Sequence, residues 1–208
     1  MSASSGALRP LFTGLRLLAV MTALLGVAYP LAIMGIGAVV APAQAAGSLL
    51  KDSSGRVVGS ELVGQSFTTA EGAPDPRFFQ SRPSAAGEGY DGLSSGGSNL
   101  GPSNPELVAL IRERRASIAA FEGCDPASIP ADALTASGSG LDPHISPAYA
   151  RLQVDRVARA RGVSPDAVAE LLARSIQHTG PWLPGQDKVN VLRLNLALDA
   201  RSSTGSRQ

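Results

Sequence analysis

A chain of 208 residues with a formal net charge of +1 has room for one sizeable folded domain behind a short anchor, and lacks the basic excess that nucleic acid would require. The single Cys124 cannot close an internal disulfide, and no Cys/His cluster with metal-ligand spacing occurs, so neither cross-links nor zinc hold this fold together. Aromatic residues make up 4% of the chain, which argues against a base- or sugar-stacking platform and leaves aliphatic packing as the main source of stability.

In chain order, Met1 to Pro10 is Ser-rich and shows no pattern of regular structure, and residues 1–14 are expected to form a cytoplasmic tail. The run Leu17 to Val40 (LLAVMTALLGVAYPLAIMGIGAVV) carries no charge. As a helix its roughly 24 residues span about 36 Å, enough to cross a hydrocarbon core of about 30 Å with some tilt, and residues 15–40 are predicted as a transmembrane helix. Arg9 and Arg16 precede the run, whereas Lys51 and Arg56 beyond it are mixed with Asp52 and Glu61. The basic bias places the N-terminus in the cytoplasm and residues 41–199 outside. A cleaved secretory signal is the competing reading, because Ala43-Gln44-Ala45 looks like a small-residue cleavage site. Signal apolar regions run about 7 to 15 residues, however, and this one is considerably longer. Ala19, Ala23, Gly26 and Pro30 recur at three- or four-residue spacing, a small-residue face on which a second membrane helix can pack. Pro30 removes the backbone bond to the Gly26 carbonyl and is expected to bend the helix.

Beyond the span, Leu49-Leu50 and Val57-Val58 flank the turn-forming Asp52-Ser53-Ser54-Gly55, which predicts a β-hairpin. Leu62-Val63 between Gly59 and Gly64 suggests a bend or bulge in the second strand. Thr69 to Pro105 is loop-rich, and the Asn/Gly/Pro content of Ser94 to Pro105 suits an ordered binding loop rather than a floppy linker. Three helices then open alike, at Asn104-Pro105-Glu106, Ser146-Pro147 and Ser164-Pro165-Asp166, each with a capping side chain followed by proline at the first helical position. In the first, Leu107, Leu110, Ile111, Ile118 and Phe121 share a face while Arg112, Glu113, Arg115 and Glu122 point away. In the second, Ala150, Val154, Val157 and Ala158 form the stripe and Gly162 ends it. In the third, Val168, Leu171, Leu172 and Ile176 do the same, ending near His178. Lys188 to Leu198 (KVNVLRLNLAL) alternates at Leu192, Leu194, Leu196 and Leu198, the period of a half-buried strand, which is expected to join the early hairpin in one sheet. The fold class is therefore α/β or α+β, a small sheet covered by about three helices, with residues 200–208 as a flexible tail.

No phosphate-binding loop, nucleophile elbow, His-Glu-x-x-His helix or Asp-Lys-Thr-Gly sequence occurs, so autonomous catalysis is not expected. Ser137, Ser139, Asp142 and His144 crowd together in Thr135 to Pro147 (TASGSGLDPHISP). A hydrolase reading lacks an oxyanion hole, and the plainer reading is that Asp142 and His144 satisfy loop and helix-end backbone groups. Asp75, Asp91 and Asp142 are isolated carboxylates without the spacing of a cation cage.

Ser94 to Pro105, Thr135 to Pro147, Gln153 to Gly162 (QVDRVARARG) and Val189 to Leu198 (VNVLRLNLAL), in that order behind one N-terminal span, closely resemble the C subunit of the bacterial Kdp-type potassium-transporting P-type ATPases. Gly47-Ser48-Leu49, Gly59 to Gln65 and Arg82-Pro83-Ser84-Ala85 are also similar to that pattern, and the departures are local, at Ala46, Pro181 to Gln186 and Cys124. The resemblance implies a non-catalytic accessory subunit needed for assembly and activity. Its implied partners are a potassium-conducting subunit, a phosphorylated P-type catalytic subunit and a small single-span subunit in the lipid bilayer. The complex would use ATP, Mg2+ and K+ to import potassium, with no cofactor held firmly by this chain. Leu93-Ser94-Ser95-Gly96-Gly97 is similar to a transporter signature sequence on which nucleotide binding has been assigned in the family, which makes Ser94, Ser95, Gly96 and Gly97 weak candidates for ATP contact. Placed outside the cell, where ATP is scarce, the loop is better suited to be a rigid contact surface. The expected docking surface combines Ser94 to Asn104, including Ser98, Asn99 and Asn104, with Thr135 to Ser146, including Ser137, Ser139, Asp142 and His144. The alternative is a free-standing, signal-anchored periplasmic protein that binds a small ligand through the same loops.

Overall fold

The computed structural model describes residues 5–178, 180 and 186–205, in two compact units, residues 1–48 and 49–208. Of the Pro181 to Gln186 segment, residues 181–185 lie outside the described residues.

The first unit is helical. Helix α1 (Ser5–Ala23) passes through a π turn at Leu24–Ala28 into α2 (Tyr29–Val40), and a short α3 (Pro42–Ala45) comes next, taking up the Ala43-Gln44-Ala45 sequence. Helix begins ten residues earlier than residue 15, the start expected from apolarity alone, with Pro10 inside its early turns. Arg9–Val40 is long and apolar enough to cross a membrane, with a mean hydropathy of 2.2 in its most apolar window and none of that window buried. The distortion expected near Pro30 takes the form of the π turn, in which the Tyr29 N–H reaches back to the Leu24 carbonyl. A π turn accommodates one extra residue, which rotates the helix on its C-terminal side by roughly 100° relative to the helix on its N-terminal side. Ala19 and Ala23 therefore do not continue in a straight line to Gly26 and Pro30.

The second unit is α+β. The predicted hairpin is present as β1 (Leu49–Lys51) and β2 (Val57–Ser60), antiparallel, with Leu49 opposite Ser60 and a register shift between Leu50 and Lys51. The extra residue is Val58, so the irregularity does fall in the second strand, though within the ladder and not at Leu62-Val63, which lies beyond it in a turn. Asp52 closes the hairpin by accepting from the Ser54 and Arg56 backbone N–H groups. All three expected helix starts occur. Asn104 Oδ1 accepts from the Glu106 N–H at the head of α4 (Pro105–Glu122), Ser146 Oγ from Tyr149 at α6 (Pro147–Leu152), and Ser164 Oγ from Ala167 at α8 (Pro165–Ser175). A one-turn α5 (Ala131–Leu134) lies between the first two. The second predicted helix is broken at Gln153 into α6 and α7 (Val154–Arg161), and Gly162 ends it with φ 66°.

Two expectations fail. Helix α8 stops at Ser175, and Ile176–Gln177 forms a short strand β4 where helix was expected toward His178. The last apolar segment is strand only over Lys188–Asn190 (β5), after which Val191–Gly205 is helix α9, reaching through most of the expected tail. Val191, Leu194 and Leu198 also satisfy a three- and four-residue spacing, and with Asn195 and Leu192 they are buried, whereas Leu196 is only partly so. Leu, Ala and Arg favour helix once period no longer decides, and Asn190 Oδ1 accepts from the Arg193 N–H in the first turn. The hairpin consequently does not share a sheet with this segment. β5 is instead the centre of a three-stranded antiparallel sheet, order β3-β5-β4, with β3 at His144–Ile145. The core lies between this sheet and α6 to α9, around Phe79, Tyr149, Val157, Val168, Val189 and Leu194.

Candidate functional site

The two glycine-rich loops, remote in sequence, interlock. The Gly96 N–H and the Ser95 hydroxyl both donate to the Ser139 carbonyl, at 2.9 and 3.0 Å. The approach is close enough to dictate glycine: Gly140 has φ 69°, and a Cβ on it would lie 2.7 Å from the Ala86 nitrogen and the Gly96 carbonyl oxygen. Ser84 Oγ donates to the Gly140 carbonyl at 2.6 Å and accepts from the Ala86 and Tyr90 N–H groups. Residues 84–97 and 137–140 thus form one continuous, backbone-bonded surface.

Asp142 anchors the second loop. Its Oδ2 takes the Arg82 guanidinium at 3.2 Å, and its Oδ1 accepts from the His144 N–H at 3.0 Å and faces His144 Nδ1 at 3.2 Å. Arg82 also donates to the Thr135 carbonyl. Burial works against charge on Asp142, but the His144 contacts and Arg82 outweigh it and hold the carboxyl below its ordinary value. Tyr90 donates to the Arg82 carbonyl at 2.7 Å, and burial pushes its hydroxyl up to about 12. Ser146, beyond His144, is fixed by Asp132, which accepts from both its N–H and its hydroxyl. Arg82, Asp132, Asp142, His144 and Lys188 line a cleft of about 690 Å³.

The expected surface is therefore assembled in part. Ser94, Ser95, Ser98, Asn99 and Ser139 are exposed, and Gly96 and Gly97 half-buried beside Gly138. Asn104 is spent as a helix cap. Ser137 is buried, its hydroxyl without a hydrogen-bond partner among the described residues. Ala19, Ala23, Gly26 and Pro30 belong to the separate helical unit, where all four are exposed. Of the isolated carboxylates, Asp75 pairs with Arg77, Asp142 with Arg82, and Asp91 accepts from the Leu93 N–H. At Ser94 to Gly97 the backbone is already engaged: the Ser94 N–H donates to Asp91, and the Gly96 N–H to Ser139. Sequence reasoning missed Arg82, Ser84, Tyr90 and Asp132 as members of this assembly. The available signal was the Arg82-Pro83-Ser84 triplet.

Comparison with known proteins bears on residues well beyond these loops. The family model of the K+-transporting ATPase c chain, KdpC, matches residues 11–200. Proteins named potassium-transporting ATPase KdpC subunit are similar throughout. One from Kineococcus radiotolerans is 51% identical over 191 residues, 92% of this chain and 93% of its own. Another from Caulobacter vibrioides is 51% identical over 180 residues, 86% and 87% of the two chains. A third, from Beijerinckia indica, is 50% identical over 194 residues, 93% of each.

Proposed function

Since this chain belongs to the KdpC family of K+-transporting ATPase c chains, we propose that it serves as the non-catalytic accessory subunit of an ATP-driven potassium uptake complex. The observation that carries this reading is the extent of the match, which takes in the apolar helix and the folded domain together. The helix holds the chain in the bacterial plasma membrane, N-terminus in the cytoplasm, and residues 41–199 stand outside. Its partners are the potassium-conducting subunit, the P-type catalytic subunit and a small single-span subunit. Those subunits use the ATP, Mg2+ and K+.

Within that role, the interlocked loops form a contact surface. A docking face gains from rigidity, because groups already ordered lose little entropy on binding, and the Gly96–Ser139, Ser84–Gly140 and Arg82–Asp142 bonds supply it. The bonds of the Ser94 N–H to Asp91 and of the Gly96 N–H to Ser139 count against Ser94 to Gly97 as a nucleotide cradle, which needs several backbone N–H groups free and convergent. Deleting the gene in a host that has no other high-affinity potassium uptake tests the role. Growth at low external potassium should stop and return with the full chain, but not with residues 49–208 secreted alone. Unimpaired growth of the deletion strain would overturn the proposal.

A further inference from the structure

Helix α4 packs loosely along its apolar face, with Ile118 and Phe121 only half-buried. Between it and residues 74–83 lies a groove of about 310 Å³, with Pro83, Ile118, Phe121 and Ala133 among its apolar walls. Its floor is polar. Tyr149 lines it, is 3% exposed, and its hydroxyl has no hydrogen-bond partner among the described residues, the bond to Ser146 Oγ being made by its backbone N–H. Glu122 lines it as well, with a side chain 1% exposed; Oε2 accepts from Arg156 Nε at 2.9 Å, and Oε1 accepts nothing among the described residues. The sequence pattern turns Glu122 outward on α4, whereas in the fold it faces inward because Arg156, itself buried, meets it there.

An apolar slot of this volume with a few convergent polar groups is the ordinary form of a small-ligand site. The same groups restrict the occupant. Glu122 is already neutralised by Arg156, and Glu113 and Arg114, which also line the groove, are of opposite sign, so the occupant needs no charge, and an extra charge at this depth would be costly. Oε1 can only accept while ionised, and the Tyr149 hydroxyl can donate. We propose that the groove binds a small uncharged amphiphile whose hydroxyl or primary amide end donates to Glu122 Oε1 and accepts from Tyr149 Oη. Its apolar body lies against Ile118 and Phe121. The inference is independent of assembly into a transport complex.

The test is a titration of the full chain in lipid nanodiscs with benzyl alcohol, and with toluene as the probe lacking a hydroxyl, followed by backbone amide NMR. Saturable shifts centred on residues 79–83, 113–122 and 149 are expected, with benzyl alcohol bound several-fold more tightly than toluene, roughly the effect of one hydrogen bond. Tyr149→Phe should erase that preference, and Ile118→Trp, which fills the slot, should abolish both sets of shifts. Linear, dispersed shifts, or a preference unchanged in Tyr149→Phe, would overturn the proposal. If Ile118→Trp fails to fold, the Tyr149→Phe comparison decides alone.

Discussion

The side chain of Asn195, 2% exposed on α9, pairs with the backbone of Phe79 as a neighbouring strand would: Oδ1 accepts from the Phe79 N–H at 2.9 Å and Nδ2 donates to the Phe79 carbonyl at 3.0 Å. Gln153 does the same for Gln80, at 2.6 and 3.1 Å, and Arg156 donates to the carbonyls of Pro76 and Phe78. A segment without regular structure, with Phe79 fully buried in it, thus has its backbone polar groups satisfied by side chains. Asn195→Leu would strand both Phe79 groups. At about 1–3 kcal/mol for each unpaired buried group, the loss should be at least about 2 kcal/mol. Urea unfolding of the full chain in detergent, followed by circular dichroism, would measure it, and a change under about 0.5 kcal/mol would contradict this role.

How much of this was legible in advance divides by range. The three helix starts and the hairpin are local chemistry, each set by a capping side chain, a proline or a turn within a few residues, and they occur where the sequence places them. Val191 to Leu198 misled because its leucines fit a period of two while Val191, Leu194 and Leu198 fit a helical one; Asn195 reads as an outward polar residue until Phe79, 116 positions away, is seen beside it. Arg82 and Asp142 are likewise 60 positions apart, and no local pattern pairs them.

Gly140→Ala should separate the interlocked loops. A side chain there is strained by φ 69° and meets the Ala86 nitrogen and Gly96 oxygen, which at the usual cost of a forced backbone is worth about 1–3 kcal/mol. Gly138→Ala is the control, since a Cβ there meets nothing within 4 Å. Thermal unfolding of the two variants should differ in that order, and equal midpoints would contradict it.

Acid should weaken the anchoring of Asp142. Its folded carboxyl sits below the ordinary value of 3.8, so the unfolded chain binds more protons in the acid range. The stabilisation is present above about pH 3.8 and is lost as pH falls through the folded value. Asp142→Asn should therefore lose less stability than the parent chain between about pH 5 and pH 3. An identical acid profile in both would contradict the reading.

Orientation is testable at Leu93, which is 98% exposed. With Cys124 changed to Ala, Leu93→Cys should react with a membrane-impermeant maleimide in intact spheroplasts. Reaction only after lysis would place the domain in the cytoplasm and return nucleotide contact to consideration.

The most direct measurement is purification through a C-terminal tag on this chain, in mild detergent, from native membranes of cells grown in low potassium. The account predicts co-purification, in fixed ratio, of a large P-type ATPase subunit and a polytopic potassium-conducting subunit, with ATPase activity stimulated by potassium. Recovery of this chain alone, from cells shown to express those subunits, would contradict it and favour a free-standing binding protein.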